Sequence, residues 1–185
     1  MYVGHLAVAL GAARARRQVP LLFLLLASQG ADWLQLIVTP FEGYRQAQLH
    51  THSIPAIAAG ALLSGVAWGA ASRDWRSALL VASVYLTHLP LDLVTGAKLW
   101  WPGRPAWGAC LYEQPELDFL FESLMAVAGW LIYRTQLGAR RASRLAWAML
   151  GILIACQAAV DTVELARRIR APKIREACMD QLAGN

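Results

Sequence analysis

The sequence predicts an all-α fold, a polytopic transmembrane bundle of about five to six membrane segments, on three observations. The 185-residue chain is 57% hydrophobic and only 16% charged, with a mean hydropathy of +0.40, where soluble domains carry about 25% charge. Its apolar residues fall in blocks near the roughly 20 residues that a helix needs to cross hydrocarbon. Short arginine clusters separate the blocks, as topogenic signals do.

Val3–Ala13 is too short to cross alone and reads as a tilted, partial or re-entrant segment. Residues 19–38 carry a leucine-rich run, interrupted by Phe23, that is followed by Asp32. Residues 52–71 hold Ala56, Ala59, Gly60 and Ser64, a small-residue series suited to close helix packing. The remaining blocks are 77–96, 117–133 and 145–163. No linker is long enough to separate a second unit, so 1–166 read as one transmembrane helical domain and 167–185 as a basic C-terminal tail. The apolar N-terminal run precedes Arg14, Arg16 and Arg17, the reverse of a signal peptide's order, so no cleaved leader is expected.

Orientation follows from Lys and Arg between the segments. The turns at 14–17, 72–76 and 134–144 hold nine, while the alternate turns hold three, Arg45, Lys98 and Arg104. The first set is expected on the cytoplasmic side of a bacterial inner membrane. The tail adds five basic residues to the outer side if all six segments cross, so a last segment lying partly in the interface stays open. These clusters and their attraction to anionic headgroups account for the net charge of +5. No basic stripe with interleaved aromatics is present, so membrane lipids rather than nucleic acid are the expected partners; nothing bears on oligomeric state. Trp33, Trp100, Trp101 and Trp107 fall near the outer boundary as belt residues. Cys110, Cys156 and Cys178 show no metal-ligand spacing, although Cys110 and Cys178 share the outer side, where a disulfide is conceivable.

With this topology, all four histidines and nearly every intramembrane carboxylate fall at one depth, near the outer face. His88 and Asp92, four apart on a helix, share one face and can grip one ion. Pro90 between them predicts a kink. Asp32 has no Lys or Arg within a helical turn, so its partner is a metal or a histidine from another segment. His50-Thr51-His52-Ser53 reads as a helix start, with Thr51 or Ser53 as N-cap and Pro55 in the first turn. His52 is the better ligand of the two, leaving His50 as a supporting or solvent-exposed group. His5 is recommended by its depth alone. Capping explains Asp118, whereas Glu122 is expected to face the site as base, ligand or orienter of a ligand. Asp161 and Glu164 read as interfacial residues.

The residues His5, Asp32, Thr51-His52-Ser53 and His88-x-x-x-Asp92 together resemble the YdjM-like family of integral membrane proteins, described as membrane-bound metal-dependent hydrolases. The resemblance covers most of 1–133 and implies metal ligation by His52, His88, Asp92 and Asp32. The chain departs from the family in having a single aspartate at Asp32 rather than a Pro-Asp-x-Asp element. It also has Ala47 where some members carry a further histidine. Either departure suits a mononuclear site or a degenerate one.

The expected function is therefore metal-dependent hydrolysis of a lipid or lipid-linked ester or phosphoester, with a divalent ion held by His5, Asp32, His52, His88 and Asp92. Zn²⁺ suits such donors best, with Mn²⁺ or Fe²⁺ as alternatives. Glu122 and Asp32 are the candidate catalytic acid–base groups. The rival readings are a cation or proton transporter and a structural membrane subunit using the same polar cluster.

Overall fold

A computed structural model describes residues 3–136 and 141–170, excepting the side chains of 141–143, 145, 164 and 167–170 in the last helix. The described residues form nine α-helices and one 3₁₀ turn, with no strand beyond an isolated bridge between Lys98 and Trp107. In chain order the helices are α1 Val3–Ala13, α2 Leu21–Ser28, α3 Gly30–Glu42, α4 Tyr44–His52, α5 Ile54–Ser72, α6 Trp75–Leu86, α7 His88–Thr95, α8 Pro115–Arg134 and α9 Arg141–Arg170. The basic tail beyond 170, with Cys178, lies outside the described residues, as does the Glu164 side chain.

Three stretches are long and apolar enough to cross a membrane: Ile54–Ser72, Trp75–Thr95 and Ala146–Val163. A fourth is present if Leu21–Ser28 and Gly30–Glu42, bent by 51°, count as one span. Val3–Ala13 stays short, and α8, although 20 residues long, carries Glu116, Asp118 and Glu122 in its first half. Leu62, Leu63 and Val66 of α5 are 65, 69 and 60% exposed, an apolar surface that water would not support and hydrocarbon would.

Two predicted segments are broken, one where the sequence predicts continuity and one where it predicts the kink at Pro90. Residues 19–38 split at Gln29, where Ser28 Oγ turns back to donate to Leu25 O at 3.0 Å. Residues 77–96 split at Thr87, not at Pro90; Thr87 Oγ1 donates to Val84 O at 2.6 Å and α7 restarts at His88. Pro90 thus sits in the first turn of α7, where a missing N–H costs little. The element 50–53 is also corrected: Thr51 and His52 close α4, and Ser53 alone caps α5, its Oγ accepting from Ala56 N at 3.4 Å. Pro55 follows in the first turn of α5 as expected.

The described core has three apolar clusters, two of which draw on α1 while the third joins Ala31 of α3 to Ile57 and Ala61 of α5 and Tyr85 of α6. The first joins Val3 and Leu10 to Ala126 and Trp130 of α8 and to Ala146, Leu150 and Leu153 of α9. The second joins Ala9 and Ala13 to Leu24 and Ala27 of α2 and to Val81 and Val84 of α6. Small residues set the closest approaches. A Cβ on Gly60 or Gly30 would lie 2.4 or 2.7 Å from the Tyr85 ring, so that ring is seated between the two glycines. Gly65 and Gly69 let α5 approach Ala78 and Ala82 of α6 to about van der Waals contact.

One end of the bundle gathers the arginine turns. Gln18 Nε2 donates to Asp74 Oδ2 at 2.7 Å, tying the first turn to the α5–α6 turn. The Gln136 amide, oriented to donate to Ala13 O at 3.3 Å and accept from Arg14 N at 2.7 Å, ties in the third. Asp74 also caps α6 through Arg76 N at 3.0 Å and accepts from Ser77 Oγ at 2.6 Å. The Ser77 hydroxyl, and then the Gln18 amide, hold its carboxyl down to about 2. A value below the ordinary carboxylate range means that Asp74 contributes stability fully above about pH 4 and loses it as pH falls toward 2. Thermal melts of the wild type and Asp74→Asn should therefore differ at about pH 5 and converge as pH drops to 2.

Candidate metal centre

Four helices bring their polar groups to one point. His5 comes from α1, Asp32 from the first turn of α3, His52 from the last turn of α4, and His88 and Asp92 from one face of α7. Each of the three helix breaks (Gln29, Ser53, Thr87) lies within three residues of a member of this group. Irregular backbone at membrane depth is tolerated where it lines a polar site. About 12 Å of helix separates His5 from Ala13, so the centre is embedded within the bundle.

Asp32 is the hub. Its Oδ1 lies 3.1 Å from His52 Nε2, and its Oδ2 lies 3.7 Å from His88 Nε2 and 4.0 Å from His5 Nε2. Asp92 is the second bridge, 3.4 Å from His5 Nε2 and 3.5 Å from His52 Nε2. The three imidazoles are fully buried, Asp92 is 1% exposed, and Asp32 at 17% is the accessible member. The His5 and His88 rings stack at 4.0 Å, with Tyr85 at 5.5 Å from His88.

The chemistry of these donors fits a divalent ion. Thr51 Oγ1 donates to Ala47 O at 2.8 Å, so it accepts from His52 Nδ1 at 2.8 Å. His88 Nδ1 donates to Tyr85 O at 3.0 Å. With Nδ1 engaged as a donor, the Nε2 of His52 and of His88 is left to act as an acceptor toward the carboxylates, and backbone or hydroxyl partners of this kind orient metal-ligating histidines. Acceptors facing acceptors need positive charge between them. Consistent with that, His5 Nε2, His88 Nε2 and Asp32 Oδ2 are buried with no hydrogen-bond partner among the described residues. Ligands about 2.1 Å from one ion stand at most about 4.2 Å apart, and all five Nε2–carboxylate distances, 3.1 to 4.0 Å, fall inside that limit. One donor atom from each of His5, Asp32 and His88 lies within 4.8 Å of the others. A His5–Asp32–His88 group that could hold a metal ion is therefore present, with His52 and Asp92 beside it.

Comparison with protein-family models, curated proteins and solved structures finds no match. The reading of the site rests on its geometry.

Of the residues singled out in the sequence, His5, Asp32, His52, His88 and Asp92 converge. His50 does not: it is half exposed and pairs with Glu42 at 2.6 Å. Glu122 is a correction as base or direct ligand. Its Oε2 accepts from Val3 N at 2.9 Å and Gly4 N at 3.1 Å, while the ion pairs of the three histidines run to Asp32 and Asp92. It terminates α1, satisfying donors that the first turn cannot, and so orients the helix that carries His5. Asp118 lies in the first turn of α8 and is fully buried, accepting from Gln157 Nε2 at 3.4 Å, and Gln157 also donates to Asp161 at 3.1 Å. Lys98 was missed as anything beyond a loop charge. It is 8% exposed, and its Nζ lies 3.7 Å from Asp92 Oδ2. No spacing rule flags it, because tertiary folding of the 97–110 segment brings it there. Trp33, Trp101 and Trp107 are exposed, whereas Trp100 is buried and donates from Nε1 to Trp107 O at 2.6 Å. Cys110 is buried and disulfide-bonded, Cys156 is a free exposed thiol, and Cys178 lies outside the described residues.

Proposed function

We propose that this chain is a membrane-embedded, metal-dependent hydrolase of the YdjM-like kind. It crosses a bacterial inner membrane with five to six segments and acts from the periplasmic side on a lipid or lipid-linked ester or phosphoester. The observation that carries this reading is the convergence of three imidazole Nε2 atoms and two carboxylates, from four helices, on a point where several of the facing atoms have no hydrogen-bond partner among the described residues. Three imidazoles and two carboxylates suit Zn²⁺ best, with Mn²⁺ or Fe²⁺ also accommodated. An ion held there supplies the Lewis acid that makes water a nucleophile at neutral pH.

The chain's own residues do the rest. His5, His88 and Asp32 would hold the ion, with His52 and Asp92 as further donors beside it. Asp32, the accessible member, has one oxygen near His88 and the other toward His52, which places it to take the proton of an attacking water. Stacked rings and the buried Tyr85 exclude water from the inner wall.

The test is release of a headgroup or acyl product from a bacterial lipid extract by the purified, Zn-loaded protein. His88→Ala should abolish release, while His50→Ala keeps it. Equal turnover by the wild type and His88→Ala, or none from any extract, contradicts the reading. The transporter rival draws on the three helix breaks at the site, a feature of ion-coupled carriers. Proteoliposomes separate the two: the hydrolase gives product with no metal accumulating inside, and the transporter gives accumulation without product.

A further inference from the structure

Lys98 sits oddly for a topogenic charge. The 97–110 segment folds back on the bundle through Lys98 N to Trp107 O at 3.2 Å, Trp107 N to Lys98 O at 3.1 Å, Ile54 N to Trp100 O at 2.9 Å and Ala109 N to Leu93 O at 2.7 Å. Gly108 permits the last approach: a Cβ there would lie 1.9 Å from Gly96 O. The result is a pinned hairpin that carries the Lys98 ammonium into the wall of the His/Asp group, 3.7 Å from an Asp92 oxygen that also faces His52 Nε2 at 3.5 Å.

The charge balance at that point is informative. Lys98 brings an ammonium to the same Asp92 carboxylate that faces His52, so an ion held by the histidines and Asp32 would share that carboxylate with a second cation in a buried place. A buried surplus of charge is costly unless an anion completes it. A neutral carboxylic ester gives it no partner; a phosphoryl oxygen does, and an ammonium beside a metal is a common way to hold one. The surroundings agree. Leu99, the next residue, lines a cleft of about 520 Å³ together with Tyr44, Arg45, Trp101 and Arg104. The acid in that cleft, Glu42, is already paired with His50 at 2.6 Å. Two arginines and two aromatic side chains, Trp101 and Arg104 on the hairpin and Tyr44 and Arg45 beside it, match a phosphate-bearing headgroup at a membrane interface.

We propose that Lys98 is the anion-recognising residue of the metal site and that the substrate presents a phosphate ester, its phosphoryl oxygen held between Lys98 and the ion. This inference rests on the hydrolase reading and narrows it to phosphoester chemistry.

The test uses the full chain in nanodiscs loaded with Mn²⁺, with inorganic phosphate as the probe. Electron paramagnetic resonance reads the bound metal and ³¹P line broadening reads phosphate beside it. Wild type should bind the ion and broaden the phosphate signal. Lys98→Met should bind the ion undiminished, since no ligand is lost, yet bind phosphate at least about tenfold more weakly. Lys98→Arg should recover most of the loss, which excludes a folding defect. Nanodiscs of phosphatidylcholine alone and with added phosphatidic acid separate the sources. Displacement of phosphate by phosphatidic acid assigns the group to a lipid, and equal binding in both assigns it to a soluble ester. Undiminished phosphate binding by Lys98→Met overturns the role of Lys98 while leaving the metal site standing. Failure of the wild type to bind Mn²⁺ overturns the metal reading itself, and this inference with it.

Discussion

Alanine at His88 is expected to lower metal affinity by more than about 100-fold, since loss of even an outer partner of a metal ligand costs 10- to 100-fold. The change removes an Nε2 that faces Asp32 Oδ2 at 3.7 Å and breaks the stack with His5 at 4.0 Å. Binding that favours the folded state stabilises it by about 2.7 kcal/mol at 100 times Kd. Metal should therefore raise the melting temperature of the wild type and of His50→Ala, but not of His88→Ala. Equal metal-induced shifts in all three proteins would contradict the assignment.

The second large effect lies away from the metal ligands. A Cβ on Gly129 of α8 would lie 2.2 Å from Ala7 O and 2.8 Å from Ala7 C of α1. The obstacle is backbone, so even Gly129→Ala must drive the two helices apart. Overpacking of this kind costs about 1–3 kcal/mol, and the rigid obstacle argues for the upper part of that range. Because α1 carries His5 two residues before Ala7, the same change should weaken metal binding. Gly151→Ala is the contrast, since nothing lies within 4 Å of its added Cβ. In a helix, alanine there should be neutral or stabilising by up to about 1 kcal/mol. Thermal melts in detergent with and without Zn²⁺ check both; a Gly129→Ala protein as stable as the wild type would refute the packing account.

The contrast between His50 and His52 shows what a sequence can carry. Residues two apart cannot share a helical face, so one of the two had to point away, and His50 does. The pairing of His88 with Asp92 follows from the same periodicity. The sorting of histidines and acids to one depth likewise foreshadowed their meeting, because unpaired polar groups are too costly in lipid to be scattered. The break at Gln29 escaped notice, and the one at Thr87 was placed at Pro90 instead, for a physical reason. Periodicity and hydropathy are blind to a turn that costs only one or two hydrogen bonds when Ser28 and Thr87 hydroxyls hold local carbonyls. Glu122 misled because a buried acid facing a helix N-terminus and one facing a metal look alike along the chain; only the approach of α1 to α8 tells them apart. Lys98 was hidden because its place depends on a hairpin whose contacts run between distant residues.

The central claim is that histidines and carboxylates from separate helices hold one ion, and X-ray absorption at the metal edge of the Zn-loaded protein tests it most directly. The account predicts a first shell of nitrogen and oxygen only, at about 2.0–2.2 Å, with the outer-shell scattering of two to three imidazoles, reduced by one ring in His88→Ala. A shell without imidazole scattering, or one unchanged by His88→Ala, would contradict it.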